Sequence, residues 1–319
     1  MSRTKVLSIV GPGRSGTTIL AGALGEADGV VDVGELRWLW RRGLLEQRSC
    51  GCGLPPDQCP VWSAVLVKAG GGAPQSVTAI AAAQDALAPR RRRLRVIRTA
   101  ATGRTGWAAL DEVRGITARL IPAIAEVTGA RVLVDSSKRA QDAAVMAGLD
   151  QVDHYVLHIV RDPGAVAFSW QRRNKTVPIP GAGRTMATRR LVPSMARWTE
   201  NCLSAEALRR FVPPDRWLFL RYEDFAAAPE ATVGRVLTFL HEDAAPPFID
   251  DRTVVLGVHH TVEGNPNRFR VGPVRISLDD EWRRRMPRRR QLVVRALAWP
   301  FLLYYRYPLL TGAARTGGA

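Results

Sequence analysis

Apolar positions form a short continuous run near the N-terminus and then change to helical spacing. The run KVLSIV at residues 5–10 is typical of a strand buried on both faces in a parallel sheet. In TTILAGALGEA at residues 17–27, the apolar side chains recur at helical intervals and predict a helix. A second short run, VVDV, predicts a strand that ends at Gly34 and Glu35. The chain therefore opens with a strand, a glycine-rich loop, a helix and another strand.

The same alternation returns in the middle of the chain. RVLVD predicts a strand that ends at Asp135, and KRAQDAAVMAGL after it predicts a helix. YVLHIV from Tyr155 predicts a further strand that ends at Arg161. Asp162 and Pro163 suit the N-cap and the first position of the next helix, PGAVAFSWQRR.

The later part of the chain adds one more strand and one more helix. RWLFLRYEDF predicts a fourth clear strand from Trp217, and the amphipathic PEATVGRVLTFLHED predicts the helix after it. LRWLWRRGLLEQ and the Ala- and Arg-rich stretch at 70–120 are also expected to be helical. Strands that alternate with helices predict an α/β fold around a parallel sheet. Since the sequence has neither an internal repeat nor a convincing linker, we expect a single domain over residues 1–319.

Charge narrows the choice of partner. The 46 Lys and Arg residues exceed the 29 Asp and Glu residues and leave a net charge of +17. Such an excess favours a polyanionic ligand, an anionic membrane surface or nucleic acid. The arginine runs PRRRRLRVIR and RRRMPRRR are equally compatible with solvated helix faces.

The two ends of the chain bear on localisation. The first apolar run is only six residues long and breaks into glycines, unlike a signal peptide, so we expect a cytoplasmic protein. LVVRALAWPFLLYYRYPLL near the C-terminus is interrupted by charges and prolines, whereas a spanning helix wants about 20 apolar residues. We interpret it as a core-packing helix, with peripheral contact at the inner membrane surface as the alternative.

Three of the four cysteines cluster in CGCGLPPDQC as Cys50, Cys52 and Cys59. A structural zinc site needs four ligands, Cys202 is distant, and the segment offers no clear histidine partner, so we expect no metal. A disulfide that closes this loop on Cys59 is the other possibility, although a reducing cytoplasm favours free thiols.

The loops after four predicted strands carry the candidate chemistry. GPGRSGTT at residues 11–18 spaces its glycines like a phosphate-binding loop but lacks the lysine that contacts the terminal phosphate of ATP. Its backbone N–H groups and the hydroxyls of Thr17 and Thr18 can still bind a phosphate at a helix N-terminus. The Gly34–Glu35 pair, DSSK at 135–138 and RDPG at 161–164 follow three further strands. Because ligands bind at the carboxyl ends of strands in such sheets, we expect all four loops to converge.

In their order and spacing, GPGRSGTT, VDSSK, HIVRDPGAVAFSW and LRYEDF resemble the sulfotransferases that use 3'-phosphoadenosine 5'-phosphosulfate (PAPS), in particular bacterial members. The arginine in the first loop is similar to that of tyrosylprotein sulfotransferases. The resemblance spans roughly residues 5–285. It implies a P-loop-type sulfotransferase fold and transfer of a sulfuryl group to a hydroxyl. PAPS would be the co-substrate, 3'-phosphoadenosine 5'-phosphate (PAP) the product, and no metal would be required.

The resemblance assigns the nucleotide contacts residue by residue. The first motif would bind the 5'-phosphosulfate through Gly13, Arg14, Ser15, Gly16, Thr17 and Thr18. Arg161 and Ser169 match the pair that holds the 3'-phosphate, although a salt bridge with Asp162 or another neighbour is the alternative for Arg161. Tyr222 resembles the tyrosine at the adenine, and a buried tyrosine at a strand end would look the same. HHTVEGNPNRFRVGP looks like a segment that closes over the nucleotide, so that Arg268 and Arg270 could contact phosphates or simply be surface arginines.

The resemblance also suggests the catalytic groups. Glu35 occupies the place of a catalytic glutamate and is our candidate base, although it could instead cap a helix or pair with Arg37. Arg14 and Lys138 are our candidates for stabilising the transferred group. We interpret His158, inside a strand, as a core residue, and keep His259 and His260 as outside candidates for the base.

Two other functions compete with this interpretation. A P-loop kinase would use Mg-ATP, with Asp135 as the metal ligand. A non-enzymatic protein that binds nucleic acid or acidic lipid would rely on charge alone. A protein that binds through positive charge alone has no need of these ordered loops. We therefore expect an enzyme without a nucleic-acid partner. The sequence does not identify the acceptor. We expect it to be a hydroxyl of a small molecule, a glycoside or a lipid-linked compound, and we expect segments 43–120 and 176–198 to line its binding site.

Overall fold

A five-stranded parallel sheet forms the centre of the molecule. The computed structural model describes residues 3–172, 176–177, 184–185 and 188–309. Its strands are β1 (Thr4–Val10), β2 (Val30–Gly34), β3 (Val132–Lys138), β4 (Val152–Val160) and β7 (Trp217–Arg221). They lie in the sheet in the order β2-β3-β1-β4-β7. Two antiparallel pairs lie outside it: β5 (Thr176–Val177) with β6 (Arg184–Thr185), and β8 (Thr253–Leu256) with β9 (Gly272–Arg275). The predicted α/β fold around a parallel sheet is confirmed.

Helices cover both faces of this sheet. In chain order they are α1 (Thr17–Leu24), α2 (Pro60–Ala69), α3 (Pro74–Leu87), α4 (Arg93–Ala101), α5 (Ala108–Thr128), α6 (Ala140–Ala147), α7 (Pro163–Gln171), α8 (Leu191–Arg209), α9 (Tyr222–Ala227), α10 (Pro229–Phe239), α11 (Trp282–Arg285) and α12 (Arg288–Tyr304). Leu7, Val134 and Leu157 of the central strands are fully buried in one cluster with side chains of α1 and α10. This two-sided burial explains why these strands form continuous apolar runs.

The boundaries of three elements differ from the predicted ones. β3 continues past Asp135 to Lys138. The strand from Trp217 ends at Arg221, because Tyr222 starts α9 with two acidic residues in its first turn, where they favour the positive end of the helix. Residues 36–45 form a 3-10 turn followed by a π-helix rather than one regular helix.

The predicted helical stretch at 70–120 is divided into three helices. The first break contains Pro89, which lacks the N–H that a continuing helix needs. The second break contains Gly103 and Gly106, both with left-handed backbone angles. Most of the predicted acceptor segment 176–198 before residue 188 lies outside the described residues.

The C-terminal helix α12 packs against α7 and α8. It buries Val294, Ala298 and Leu302, as expected for a core-packing helix, whereas Trp299 and Leu303 are more than half exposed. Among the helices of the described ranges, none is both long enough and apolar enough to cross a bilayer.

Candidate active site

The four loops that carry the candidate chemistry meet at one edge of the sheet. All five strands run parallel, with β1 between β3 and β4 and with β2 beside β3. The carboxyl ends of these strands therefore lie side by side, and the Gly11 N–H donates to the Lys138 carbonyl over 3.1 Å. The first loop and the end of β3 are in direct contact.

The loop after β1 presents a helix N-terminus. Gly16 is the N-cap of α1 and has a φ of 76°, a left-handed angle that glycine adopts without strain. A Cβ at this position would lie 2.6 Å from the Tyr222 ring, so the loop also needs glycine for close packing. Among the described residues no side chain caps α1, which leaves the first-turn N–H groups able to bind an anion.

The hydroxyls of this loop are withdrawn from solvent. Ser15 is fully buried and Thr17 nearly so, while Gly13 and Thr18 are half-buried. Within the described part of the chain, the Ser15 Oγ has no hydrogen-bond partner. Because a buried polar atom without a partner costs free energy, this hydroxyl is suited to contact a bound ligand.

Arg14 places a cation beside the same loop. Its φ of 71° is in the left-handed region, which is strained for a residue with a long side chain. The guanidinium carbon lies 4.6 Å from the centre of the Trp170 ring. Burial and, after it, the positive charge of Arg161 lower the pKa of Arg14 to about 10, against an opposing effect of Glu35. Arg14 is therefore a partly desolvated cation close to a second arginine.

Lys138 and Glu35 form an ion pair at the ends of β3 and β2. The Lys138 Nζ donates to the Glu35 Oε1 and, over 3.1 Å, to the Ser136 carbonyl. The Glu35 Oε2 accepts from the Trp38 indole over 3.1 Å, and both charged side chains are 15% exposed. Like Arg14, Lys138 has a left-handed backbone, with a φ of 69°. The predicted alternative partner of Glu35, Arg37, lies over the Trp38 ring instead.

Asp135 fixes the loop that carries Glu35. Its Oδ1 accepts from the Leu36 N–H over 3.3 Å, from the Ser137 N–H over 2.9 Å and from the Ser137 Oγ over 2.5 Å. Burial raises the pKa of Asp135 to about 7, although the hydrogen bonds from Ser137 and Leu36 oppose the rise. A carboxyl that is buried among these donors holds the neighbouring loops of the site in place. In the kinase alternative, the same carboxyl would have to bind magnesium instead.

Arg161 lies on the other side of the first loop. It donates to the Arg14 carbonyl over 3.1 Å and to the Asp279 carbonyl over 2.8 Å, and its guanidinium lies 4.3 Å from the centre of the Tyr222 ring. It also forms an ion pair with the Asp279 carboxylate at 3.3 Å, rather than with Asp162, which pairs with Arg295. Ser169, eight residues further on, is buried in α7. Asp279 was missed from the sequence, where nothing distinguishes it from the neighbouring acidic residues.

Of the two later predicted arginines, Arg268 lies near Glu35, since a Cβ placed on Gly264 would touch both side chains. Arg268 donates to the Thr261 carbonyl over 2.8 Å and to the Ser49 carbonyl over 2.7 Å, and so fastens two loops together. Arg270 is exposed. Their contact with nucleotide phosphates stays a prediction.

The histidines have partners outside the candidate catalytic pair. His158 is fully buried among Trp217, Phe219 and Tyr305, and burial lowers its pKa to about 3, in agreement with a core residue. His259 lies 2.6 Å from a carboxylate oxygen of Glu26.

His260 lies against the cysteine cluster. Its Nδ1 is 3.1 Å from the Cys59 Sγ, so these cysteines have a histidine partner that lies outside their own segment. The histidine comes from a segment 201 positions away along the chain, which no local pattern could reveal.

Comparisons with known proteins agree with this geometry. A family model described as "Sulfotransferase family" matches residues 153–246, which include β4, Arg161, Ser169 and Tyr222. Over these residues the chain is similar to the sulfotransferase family. The resemblance seen in the sequence is thereby confirmed over this segment, and it points to an enzyme of class EC 2.8.2 in a family that uses PAPS.

Solved structures confirm the sulfotransferase fold over nearly the whole chain. The sulfotransferase domain of the curacin biosynthetic pathway is 16% identical with a TM-score of 0.55, over 97% of this chain and 100% of that one. The sulfotransferase domain of the Synechococcus PCC 7002 olefin synthase is 20% identical with a TM-score of 0.52, over 94% and 95% of the two chains. A sequence comparison with curated proteins finds no match.

Proposed function

We propose that this sulfotransferase moves the sulfuryl group of PAPS to the hydroxyl of a partly apolar acceptor, with Glu35 as the base. One observation carries the proposal: the buried Ser15 hydroxyl and the start of α1, which no described side chain caps, adjoin Arg14, whose carbonyl accepts from Arg161, while Lys138 and Glu35 pair at the neighbouring strand ends. This is an anion-binding loop with a cation and a carboxylate at its edge.

The nucleotide would contact both sides of the first loop. The 5'-phosphosulfate is assigned to the loop residues Gly13, Arg14, Ser15, Gly16, Thr17 and Thr18, and the 3'-phosphate to Arg161 with Ser169. Tyr222 touches both parts, since its ring packs against Gly16 and beneath the Arg161 guanidinium. That position supports a contact between Tyr222 and the nucleoside that joins the two phosphates.

At the sulfur atom, the reaction forms one bond and breaks one. The acceptor oxygen attacks sulfur, the bond from sulfur to the 5'-phosphate oxygen breaks, the hydroxyl proton passes to Glu35, and PAP leaves. Arg14 and Lys138 neutralise the negative charge that develops on the sulfuryl and phosphate oxygens, where one such donor is worth roughly 3 kcal/mol. Because Lys138 and Glu35 are paired, the proton acceptor and one stabilising cation stand next to each other.

An apolar cavity of about 500 Å³ between α4, α8 and α12 suggests the acceptor class. Both predicted acceptor segments contribute to it, and its apolar lining consists of Leu94, Val192, Met195, Ala196, Leu203 and Leu297. Arg93 lines the cavity, and burial lowers the pKa of Arg93. The charge of Arg139, the residue after Lys138, also lowers it, so Arg93 lies near Arg139. The apolar lining of the cavity therefore suits the apolar body of an acceptor.

Calorimetric titration tests the nucleotide assignment. PAP, ATP and ADP are titrated with and without Mg²⁺ into the wild-type chain and into Arg161→Ala. We expect tight, metal-independent binding of PAP that Arg161→Ala weakens by at least tenfold. Arg216→Ala is the matched control, since Arg216 also pairs with an aspartate and covers a tyrosine ring, but at the opposite end of the sheet. A preference for Mg-ATP would overturn the proposal in favour of a kinase.

A separate assay tests the acceptor class. We expect long-chain alkyl glycosides and apolar phenols to be sulfated with lower KM values than free sugars. Leu203→Trp at the cavity should raise the KM of these acceptors and leave PAP affinity unchanged. Equal KM values for free sugars and their alkyl glycosides would contradict the apolar acceptor while leaving the donor assignment intact.

A further inference from the structure

Four metal-ligating side chains meet at a point that the sulfotransferase reaction does not use. The sulfur atoms of Cys50, Cys52 and Cys59 and a ring nitrogen of His260 all lie within 4.8 Å of one another. The His260 Nδ1 is 3.1 Å from the Cys59 Sγ and 4.0 Å from the Cys50 Sγ. Around a tetrahedral zinc ion, a sulfur and a nitrogen ligand would be about 3.5 Å apart. The observed distances lie on either side of that value.

The backbone around the cluster brings the two segments into close contact. The Gly51 N–H donates to the Thr261 carbonyl over 3.0 Å, and a Cβ on Gly51 would overlap the His259 carbonyl oxygen. The Trp62 indole donates to the His260 carbonyl over 2.8 Å. These bonds, together with those of Arg268, hold the cysteine loop and the histidine segment in place without the cluster itself.

Burial makes the cluster a strong candidate for a cation. Cys50 and Cys59 are fully buried, while Cys52 and His260 are partly exposed, which leaves a route by which an ion can enter. Three sulfurs and one imidazole in a tetrahedral arrangement are the donor set that zinc prefers. A disulfide among these cysteines would use two sulfurs and would give His260 and the third cysteine no role.

We propose that Cys50, Cys52, Cys59 and His260 bind one structural zinc ion, with His260 coordinating through Nδ1. Four protein ligands close the coordination shell, and this distinguishes the site from a catalytic zinc, which keeps one position for water. The cysteine thiols lose their protons when the ion binds.

The zinc ion ties the active site to a distant part of the chain. Two positions beyond His260, Val262 pairs with β2 at Gly34, and its carbonyl accepts from the Glu35 N–H over 2.7 Å. The ion therefore adds to the hydrogen bonds that already hold the segment supporting the candidate base.

Metal content tests the site directly. The full chain is purified without a histidine tag and dialysed. Elemental mass spectrometry should then find one zinc ion per chain. Replacing the zinc with cobalt should produce a thiolate-to-cobalt charge-transfer band and the visible bands of a tetrahedral site. Both measurements use the wild-type chain and need no variant.

Two variants and one control assign the ligands. Cys52→Ser and His260→Asn should lose zinc, whereas Cys202→Ser, which replaces a buried cysteine outside the cluster, should keep it. Less than half a zinc ion per wild-type chain without a tetrahedral cobalt spectrum would overturn the proposal, and so would a disulfide between any two of the three cysteines in native protein. Neither result affects nucleotide binding by Arg161, so the two proposals fail independently.

Discussion

The ammonium of Lys138 donates a hydrogen bond to the carboxylate of Glu35 at the edge where β3 and β2 end. Both side chains are mostly buried, and Asp135 accepts hydrogen bonds from the residues next to them, Leu36 and Ser137. The pair places opposite charges next to the first loop, where the sulfuryl group is expected. Turnover and binding can therefore be tested separately at this edge.

Removal of the Glu35 charge should abolish turnover without loss of nucleotide. Glu35→Gln keeps an oxygen that can accept from Lys138 but cannot take a proton, and general-base help is worth roughly 10²- to 10⁴-fold. We expect kcat to fall in that range while the Kd for PAP, measured by calorimetry, stays within about threefold. Glu126→Gln, in the exposed ion pair with Lys68, is the control and should keep full activity. Unchanged turnover in Glu35→Gln would make the base assignment wrong.

Ser15 should separate binding from stability. Since its buried hydroxyl has no hydrogen-bond partner among the described residues, Ser15→Ala should leave the free energy of unfolding unchanged or raise it by about 1 kcal/mol. The same substitution should weaken PAP binding, because a contact with the phosphate is lost. Ser194, whose buried Oγ is equally without a partner in the described ranges, is the control: Ser194→Ala should match the stability effect and leave binding unchanged. If PAP binds equally well to both variants, Ser15 does not contact the nucleotide.

Asp279 should compete with the 3'-phosphate for Arg161. Burial opposes its charge, but Arg161 and Arg172 outweigh burial and lower the pKa of Asp279. Asp279→Asn should therefore bind PAP several-fold more tightly and show little change with adenosine 5'-phosphate, which lacks the 3'-phosphate. Asp280→Asn, at the next position, is the control. Equal changes for both nucleotides would place the 3'-phosphate elsewhere.

The buried Asp135 should make stability depend on pH. The pKa of Asp135 is raised to about 7 in the folded state from an ordinary value of 3.8. Between these two pH values the folded chain keeps the proton on Asp135, whereas the unfolded chain has released it. This proton gives its full stabilisation below about pH 4, and the stabilisation is lost by about pH 7. Across that range the free energy of unfolding falls by up to about 1.4 kcal/mol per pH unit.

Asp135→Asn tests that slope, because the amide oxygen can still accept from the Ser137 and Leu36 N–H groups. Urea unfolding of both proteins across this range gives the difference. We expect the wild-type chain to lose stability relative to the variant as the pH rises. A difference that is flat or of opposite sign contradicts the burial argument.

Helix α12 should bind anionic membrane surfaces weakly. It exposes the apolar side chains of Leu292, Leu297, Trp299 and Leu303, and the exposed arginines Arg288, Arg289 and Arg290 stand at its start. Apolar and basic groups together favour an interfacial helix on acidic lipid. We expect co-sedimentation with phosphatidylserine vesicles at low salt, weakened by Trp299→Glu and unaffected by Val67→Glu, which changes an exposed apolar residue of α2. Equal sedimentation with neutral vesicles, or with the Trp299→Glu variant, contradicts this assignment.

Sequence reasoning succeeded where the signal is local. The apolar runs predicted each strand of the central sheet, and Asp162 caps α7 as expected, with its Oδ1 accepting from the Gly164 N–H over 2.7 Å. The end of the strand at Arg221 was missed because the aromatic residues of YEDF suit a strand as well as a helix, and tertiary packing decides between them.

Contacts between distant segments could not be predicted. Asp279 lies 118 positions from Arg161, and its neighbours are also acidic, so no pattern marks it as the ion-pair partner. The same holds for His260, since a pair of histidines in a polar segment carries no sign of the cysteines that one of them meets. Such pairs depend on how helices and loops pack against the sheet, which local propensity does not encode.

The pairing of Val262 with β2 also has a consequence for solubility. β2 is an edge strand of the sheet, and exposed edges can recruit strands from other chains. The Val262 N–H donates to the Val33 carbonyl over 3.0 Å and its carbonyl accepts from Glu35, so the last residues of this edge are already occupied. A chain in which residues 259–264 detach would expose a hydrogen-bonding edge beside the reaction site, and loss of activity and self-association would then begin together.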